Sequence, residues 1–297
     1  MKALSPNISG ALLMMLSMAA FTVNDTFMKA AAAHVPFYQA ITLRGVGISI
    51  GLITLALWRG QLRVNLPRRD WGRIGLRTAA EIVGTLLFLT ALVHMPLANL
   101  SAILQSLPLT VTLAAAIFLG EPVGWRRMTA IGVGFLGVLL IVRPGTEGFT
   151  IYSVLGVGAV LAVTVRDLAA RRLSAGVPSL MVAVVAALGV TAFGIIGGLS
   201  EDWVPVDGAG GLMLGGAALC LMVGYVASVS AMRIGEIAIV APFRYSSLLV
   251  ALVLGFLVFG DWPAWPTLLG AAILVGTGLY TFHRERRIAR RNARAAA

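Results

Sequence analysis

The sequence VNDTFMKAAAAHVP, at residues 23–36, is the key to this chain, because a related sequence, VRDLAARRLSAGVP, returns at residues 165–178. In both copies an aspartate, Asp25 or Asp167, lies inside an apolar segment and precedes a proline by eleven residues. A carboxylate within hydrocarbon is costly, so an acid that is placed there twice indicates a functional site. The recurrence also indicates an internal duplication of the whole chain.

The composition places the chain in a membrane. Its 297 residues are 59% hydrophobic and only 12% charged, with a mean hydropathy of +0.92, whereas a soluble domain has about 25% charged residues. Unbroken runs of Leu, Val, Ala and Gly, each roughly twenty residues long, can cross a hydrocarbon core as helices. Barrel strands would instead alternate polar and apolar residues. We therefore predict an all-α polytopic membrane protein.

Ten transmembrane helices are predicted, separated by short loops that are marked by proline, glycine or charge. The predicted spans are 10–31, 36–58, 73–93, 97–119, 128–143, 151–171, 178–199, 208–232, 237–259 and 266–283.

The basic residues predict the orientation. With the N-terminus in the cytoplasm, 17 of the 23 Lys and Arg residues fall on the inner side, and only Lys29 and Arg143 fall outside. Basic loops are retained in the cytoplasm, so we expect both termini on the cytoplasmic side of a bacterial-type inner membrane. The net charge of +11 is scattered over short loops and a tail, and this scatter argues against a nucleic-acid partner.

The duplication extends beyond the opening sequence. A shift of 140 residues aligns Gln105 with Tyr245 and Trp125 with Trp265. Five spans per copy make the second copy enter the bilayer from the opposite side, which predicts an inverted repeat. The predicted regions are a first five-helix repeat at 1–147, a second, inverted repeat at 148–283, and a basic cytoplasmic tail at 284–297.

Each copy ends its fourth span in a glycine-acid pair, Gly120-Glu121 or Gly260-Asp261, followed by a glycine-rich fifth span. This pattern resembles the EamA repeats of the drug/metabolite transporter superfamily, although Asp261 stands where the family usually has Glu. The resemblance implies a ten-helix secondary transporter. Exporters of amino acids, aromatic ones included, are among the characterised relatives, and this implies a substrate class.

Charged residues inside the spans are predicted to form two clusters. At a rise of about 1.5 Å per residue, Asp25 and Arg44 lie at similar depth on either side of a helix turn, so they can pair. We predict that the clusters are the two gates of an alternating-access carrier. The alternative is static neutralisation, in which ion pairs only fix helix register. The outer cluster is Asp25, Lys29 and Arg44, and the inner cluster is Arg77, Glu81, Arg166, Asp167 and Arg244.

Polar and aromatic residues between these clusters predict a substrate cavity. Gln105 and Tyr245 are the strongest candidates because they occupy equivalent repeat positions. Hydrogen bonds between helices are the alternative for the hydroxyl groups. The predicted cavity residues are Ser101, Gln105, Phe88, Tyr225, Ser228, Arg244 and Tyr245.

We therefore predict a secondary transporter that exports small amphipathic metabolites, amino acids first among them. A multidrug exporter or another metabolite exporter of the same fold is the alternative. An intramembrane enzyme is disfavoured, because the sequence has no HExxH, Gly-x-Ser-x-Gly or Gly-x-Gly-Asp motif, and no cofactor or metal is predicted.

The glycines of the fifth span, Gly132, Gly134 and Gly137, are predicted to allow close helix packing. They could equally support a contact between two copies of the chain, so a monomer and a homodimer both remain open. The predicted partners are the small-molecule substrate and the lipid bilayer.

Overall fold

The computed structural model describes residues 5–62, 65–121, 123–145, 149–174 and 176–296, with only the backbone described for residues 237, 238 and 285–296. This part of the chain is helical and contains no strand. The helices are α1 (Pro6–Ala31), α2 (Phe37–Trp58), α3 (Arg68–His94), α4 (Leu97–Leu104), α5 (Leu107–Leu119), α6 (Trp125–Val142), α7 (Ile151–Arg171), α8 (Ser179–Gly197), α9 (Gly208–Ile234), α10 (Ile237–Val240), α11 (Ser246–Phe259) and α12 (Trp265–Ala296).

The prediction of ten membrane spans is confirmed. Ten helical segments of the described chain are long and apolar enough to cross a bilayer, and α4 with α5 forms one of them. The first and third spans begin four and five residues earlier than predicted, at Pro6 and Arg68. Four of the helices start directly after a proline, which has no backbone N–H to leave unsatisfied in a first turn. These prolines are Pro36, Pro67, Pro96 and Pro178.

The two glycine-acid pairs end their helices in the same way. Gly120 and Gly260 adopt the left-handed conformation, with φ of 67° and 70°, which glycine reaches without a steric penalty. The next backbone N–H then turns back to a carbonyl six residues earlier. Glu121 N donates to Ala115 O at 3.4 Å, and Asp261 N donates to Gly255 O at 3.0 Å. Both pairs therefore act as helix stops.

The chain forms two compact units, and each unit takes segments from both halves of the sequence. Unit 1 contains residues 1–22, 96–153 and 223–297, and unit 2 contains residues 23–95 and 154–222. The predicted boundary at 147/148 lies outside the described residues, so the division into two repeats stays a prediction. The predicted tail is helical as far as Ala296, and its side chains from residue 285 onward also lie outside the described residues.

In unit 2, α2 and α8 pack closely through small residues. A Cβ added to Gly194 would lie 2.7 Å from Thr42 Oγ1, so the two backbones approach each other there. Nearby, Ser49 Oγ and Thr191 Oγ1 form a hydrogen bond of 3.2 Å between the same helices. Close approach and hydroxyl hydrogen bonds are the usual means by which membrane helices associate.

Two turns of unit 2 are tied down by carboxylates. Asp207, just before α9, accepts a hydrogen bond from Gly210 N at 2.7 Å through Oδ1, and its Oδ2 lies 3.0 Å from His34 Nδ1 in the α1–α2 turn. Asp70, in the first turn of α3, accepts one from Ser174 N at 3.3 Å, in the α7–α8 turn. The two contacts are equivalent: the third span of each half begins with an aspartate that contacts the turn between the first two spans of the other half.

In unit 1, α6 and α12 pack backbone to backbone. A Cβ added to Gly137 would lie 2.8 Å from Gly270 O, and a Cβ on Gly134 would meet the side chain of Leu109. The prediction of close packing is therefore confirmed at these two positions. A Cβ on Gly132 would meet nothing within 4 Å, so this glycine does not take part in the packing.

Candidate functional site

The candidate binding site is formed by two breaks in membrane-spanning helices, and the first break lies in the fourth span. α4 ends at Leu104, and α5 begins at Leu107 with a proline in its first turn. Gln105 and Ser106 form a tighter turn between them, in which Gln105 N bonds to Ala102 O at 3.1 Å. The sequence predicted one continuous helix for this span.

The ninth span is broken at the equivalent position. Its first part, α10, gives way to a 3₁₀ turn from Ala241 to Tyr245, and α11 starts at Ser246. Pro242 lies in this turn, as Pro108 lies after the other break. A proline removes one hydrogen bond from a helix, and the freed groups are tolerated where they line a cavity or meet another helix.

The two breaks meet inside unit 1 through a side-chain hydrogen bond. Gln105 Nε2 donates to Ser247 Oγ at 2.8 Å, and Ser247 Oγ donates in turn to Arg244 O at 3.1 Å. Gln105 is 6% exposed, so this contact lies in the interior of the unit. The predicted importance of Gln105 thus has a structural counterpart.

Tyr245 lies at the second break and is also buried, with 6% exposure. Its ring packs edge to face on Phe282 at 6.5 Å between centroids and rests against Gly278. Among the described residues its hydroxyl has no hydrogen-bond partner. A buried phenol normally has one, so the hydrogen-bonding capacity of this hydroxyl is unused.

The other predicted cavity residues are spread over both units. Ser101 is buried in unit 1, Tyr225 and Ser228 are half-buried there, and Arg244 is exposed. Phe88 is half-buried and belongs to unit 2. Of this set, the structure places Gln105, Arg244 and Tyr245 at the paired breaks.

Unit 1 also contains an apolar cavity of about 230 Å³ between α4, α11 and α12, which the sequence analysis did not predict. Its walls include Ala98, Ala102, Leu252 and Leu268, with Thr267 as a polar member. This lining suits hydrocarbon and offers little to a charged solute.

Unit 2 contains an ionic network around Arg166. The Arg166 guanidinium donates to Asp167 Oδ1 at 2.9 Å and to Glu81 Oε1 at 3.1 Å. Arg77 lies 3.7 Å from the other oxygen of Glu81. These four residues were predicted to form the inner cluster, and the structure pairs Arg166 with Asp167 and Arg77 with Glu81. Their role in a gate stays a prediction. Arg244, assigned to the same cluster, lies in unit 1.

The predicted pairing of Asp25 with Arg44 is wrong as a direct contact. Within the described residues, the Asp25 carboxylate accepts a hydrogen bond from Asn24 Nδ2 at 2.9 Å and makes no ion pair with Arg44. Arg44 interacts with Asp25 electrostatically, and it interacts in the same way with Glu81. Similar depth fixes only one coordinate of a side chain, and it does not fix the direction in which the side chain points around its helix.

Glu81 of the inner cluster therefore acts electrostatically on Arg44 of the outer cluster, although the two side chains make no ion pair among the described residues. Lys29, assigned to the outer cluster, donates to the backbone oxygen of Met95 at 2.6 Å and so holds the end of α3.

Comparison with known proteins identifies relatives over nearly the full length. A riboflavin transporter of Vibrio cholerae serotype O1 is 28% identical over 292 residues, which cover 97% of this chain and 98% of that protein. An S-adenosylmethionine uptake transporter of Rickettsia felis is 23% identical and covers 96% of both chains. A pseudopaline exporter of Pseudomonas aeruginosa is 29% identical over 168 residues, or 56% of this chain and 58% of that one.

A solved crystal structure shares the fold, with a TM-score of 0.65 at 17% identity over 91% of this chain and 95% of the other. Residues 8–143 match the EamA-like transporter family. The relatives are transporters, and the described helices account for ten membrane spans. With ten membrane spans and transporters among its relatives, the chain resembles the EamA-like transporters of the drug/metabolite transporter superfamily, and these findings support a multi-pass membrane protein that is a small-molecule transporter.

Proposed function

We propose that this protein exports small amphipathic metabolites across a bacterial inner membrane by alternating access, with both termini in the cytoplasm. The observation that carries the proposal is the meeting of two broken spans at Gln105 and Ser247. Broken helices place unsatisfied backbone groups and helix ends in the membrane interior, where they serve as binding sites for polar solutes in many carriers.

The breaks provide groups for both parts of an amphipathic solute. The amide of Gln105 and the hydroxyls of Ser247 and Tyr245 offer donors and acceptors to a polar part. The rings of Tyr245 and Tyr225 offer a flat apolar surface.

Amino acids, aromatic ones included, are the first substrate class to test. The relatives support a broader class, since they are named for riboflavin, S-adenosylmethionine and pseudopaline. Riboflavin is the second candidate, because the protein named for it matches 98% of its own length. The relatives are named for uptake as well as export, so the direction of transport is part of the proposal.

The ionic network of unit 2 is proposed to act in the gates. Arg166 binds two carboxylates, Asp167 and Glu81, and Arg44 interacts electrostatically with Glu81 and Asp25. Exchange of partners within such a network can accompany a change between two conformations. Static neutralisation of buried charge is the competing explanation.

The test is counterflow in proteoliposomes that contain the purified protein. Vesicles loaded with unlabelled phenylalanine should accumulate labelled phenylalanine with saturable kinetics, whereas an intramembrane enzyme would show no counterflow. A panel of amino acids, riboflavin and cationic drugs, measured with and without a pH gradient, separates the candidates. Transport of drugs without amino acids or riboflavin would support the multidrug alternative and contradict the proposal.

A further inference from the structure

Arg44 is a buried cation without a direct partner. It lies on α2 within unit 2 and is 8% exposed. Among the described residues, its Nε has no hydrogen-bond partner, and the guanidinium makes no ion pair. A guanidinium stays protonated in proteins and carries five N–H donors. A buried charge of this kind normally has both a counter-ion and hydrogen bonds.

The two carboxylates that act on Arg44 are bonded elsewhere. Asp25 accepts from Asn24 Nδ2 at 2.9 Å, and Glu81 accepts from Arg166 at 3.1 Å. They lower the electrostatic cost of burying Arg44, but they leave its donors unused. The arrangement therefore holds a positive charge ready for another acceptor.

A second unused group lies beside Asp25. Asn24 is 3% exposed, and its Oδ1 has no hydrogen-bond partner among the described residues. Its Nδ2 is already engaged with Asp25, and this contact fixes the amide so that Oδ1 remains as the acceptor. Unit 2 thus contains an unused cationic donor, an unused neutral acceptor and a nearby carboxylate.

These three groups complement a zwitterion. A carboxylate accepts two parallel hydrogen bonds from a guanidinium, which is the preferred geometry of such pairs. An ammonium group donates hydrogen bonds to an amide oxygen and is attracted by a carboxylate. We propose that Arg44 binds the carboxylate of the transported solute and that Asn24 Oδ1, supported by Asp25, binds its amino group. The substrate class at this site is the α-amino acid group. The inference rests on the proposed transport of amino acids, and it adds a binding position in unit 2 to the one proposed at the paired breaks of unit 1.

The explanation by static neutralisation makes a different prediction. If Arg44 only balances the charge of Asp25 and Glu81, its replacement changes stability, but it does not change which solutes are preferred. A binding role changes the preference for a carboxylate in particular. The experiment therefore compares solutes that differ in one group.

The experiment measures how well three solutes compete with labelled phenylalanine in proteoliposome counterflow. L-phenylalanine carries both groups, L-phenylalaninamide lacks the carboxylate, and 3-phenylpropionate lacks the amino group. For the unmodified protein we expect phenylalanine to compete at least about tenfold better than either analogue, which corresponds to one lost charged hydrogen bond. Arg44→Gln should bring phenylalanine and its amide to similar potency, and Arg44→Lys should keep part of the preference.

Asn24→Ala should weaken the discrimination between phenylalanine and 3-phenylpropionate and leave the discrimination against the amide. The matched control is Thr42→Val, on the same helix as Arg44, because the Thr42 hydroxyl donates to its own helix at Tyr38 O. This variant should keep both preferences. Thermal unfolding in detergent verifies that each variant is folded.

The outcomes separate the two proposals. If the unmodified protein transports phenylalanine and prefers neither group, or if Arg44→Gln retains the preference for the carboxylate, the assignment of Arg44 is overturned while the proposed transport of amino acids stands. If Arg44→Gln does not fold, Arg44→Lys decides the assignment, and a preference for the carboxylate as strong as that of the unmodified protein overturns it. If phenylalanine is not transported at all, the amino-acid proposal fails, and this inference fails with it.

Discussion

Gln105 is the residue whose replacement tests the paired breaks most directly. Gln105→Ala removes the hydrogen bond to Ser247 Oγ and a polar group of the proposed site. We expect the kcat/KM of transport to fall about fivefold, since one neutral hydrogen bond contributes about 1 kcal/mol and about 1.4 kcal/mol is a factor of ten. Counterflow rates over a range of substrate concentrations give this value.

The control for this variant is Thr90→Val, because the Thr90 hydroxyl donates to its own helix at Leu86 O and lies away from both breaks in sequence. It should transport as the unmodified protein does. Equal losses in the two variants would mean that Gln105 matters only for the general integrity of the fold.

Substitutions of Arg166 and of Glu81 test the gate hypothesis. Arg166→Gln leaves Asp167 without its bonded cation and leaves Glu81 with Arg77 alone, whereas Glu81→Gln leaves Arg166 paired with Asp167. We expect Arg166→Gln to lower the free energy of unfolding by about 1 to 3 kcal/mol, because it leaves half-buried charge uncompensated, and Glu81→Gln to lower it less.

The gate hypothesis also predicts that the Glu81→Gln protein, although stable, transports at least about tenfold more slowly. Arg166 would then have only Asp167 to bind, and it could not exchange one carboxylate for the other. Thermal unfolding and counterflow of the same preparations provide both values. A stable Glu81→Gln protein with unchanged transport would leave static neutralisation as the explanation.

At the level of single residues, the sequence predicted partners well where they are neighbours along one helix and poorly where they are not. Arg166 with Asp167 and Arg77 with Glu81 follow from sequence spacing. The Asp25–Arg44 contact was inferred from depth alone and is absent, since side-chain direction depends on how α1 and α2 are rotated. The contact of Lys29 with Met95 O joins helices whose packing no periodicity predicts.

The packing of α6 on α12 predicts opposite effects for two glycines of one helix. Gly137→Ala places a methyl group against the Gly270 backbone, and overpacking of this kind costs about 1 to 3 kcal/mol. Gly132→Ala meets open space and should be neutral or stabilising by up to about 1 kcal/mol, because alanine favours helix over glycine. Thermal unfolding of the two proteins in one detergent compares them. A stable Gly137→Ala protein would contradict the observed backbone approach.

The tie between α9 and the α1–α2 turn predicts a pH dependence. The backbone N–H of Gly210 and the ring of His34 hold the pKa of Asp207 below its usual range. A carboxyl group whose pKa is lower in the folded state stabilises the fold above its unfolded pKa of about 3.9, and the contribution is lost as the pH falls through the folded value.

Asp207→Ala should therefore have a lower Tm than the unmodified protein at pH 7, and the difference should shrink as the pH is lowered below 4. Asp202→Ala, which removes an exposed acid from the same loop, should leave the Tm unchanged. A pH-independent difference for Asp207→Ala would mean that the carboxylate charge does not contribute.

At the level of helices, the sequence predicted every span because hydropathy and the flanking prolines act locally. The breaks in the fourth and ninth spans were not predicted, although both spans contain a proline, Pro108 or Pro242. A proline removes one hydrogen bond, but whether the helix then bends, tightens or continues depends on what its neighbours offer. Here Ser247 offers its hydroxyl to Gln105, and this partner is 142 residues away.

For the whole molecule, the distribution of charge predicts the orientation in the membrane. An even number of spans places both termini on one side, and the excess of Lys and Arg in the loops of that side predicts that it is the cytoplasm. The acidic segment between α8 and α9 then faces outward. Single cysteines test this in a Cys220→Ala background, since Cys220 is the protein's one cysteine. Asp202→Cys should react with a membrane-impermeant thiol reagent in intact cells. Ser5→Cys and Gln61→Cys should react only after the membrane is opened, and the reverse pattern would show that the basic loops do not set the orientation.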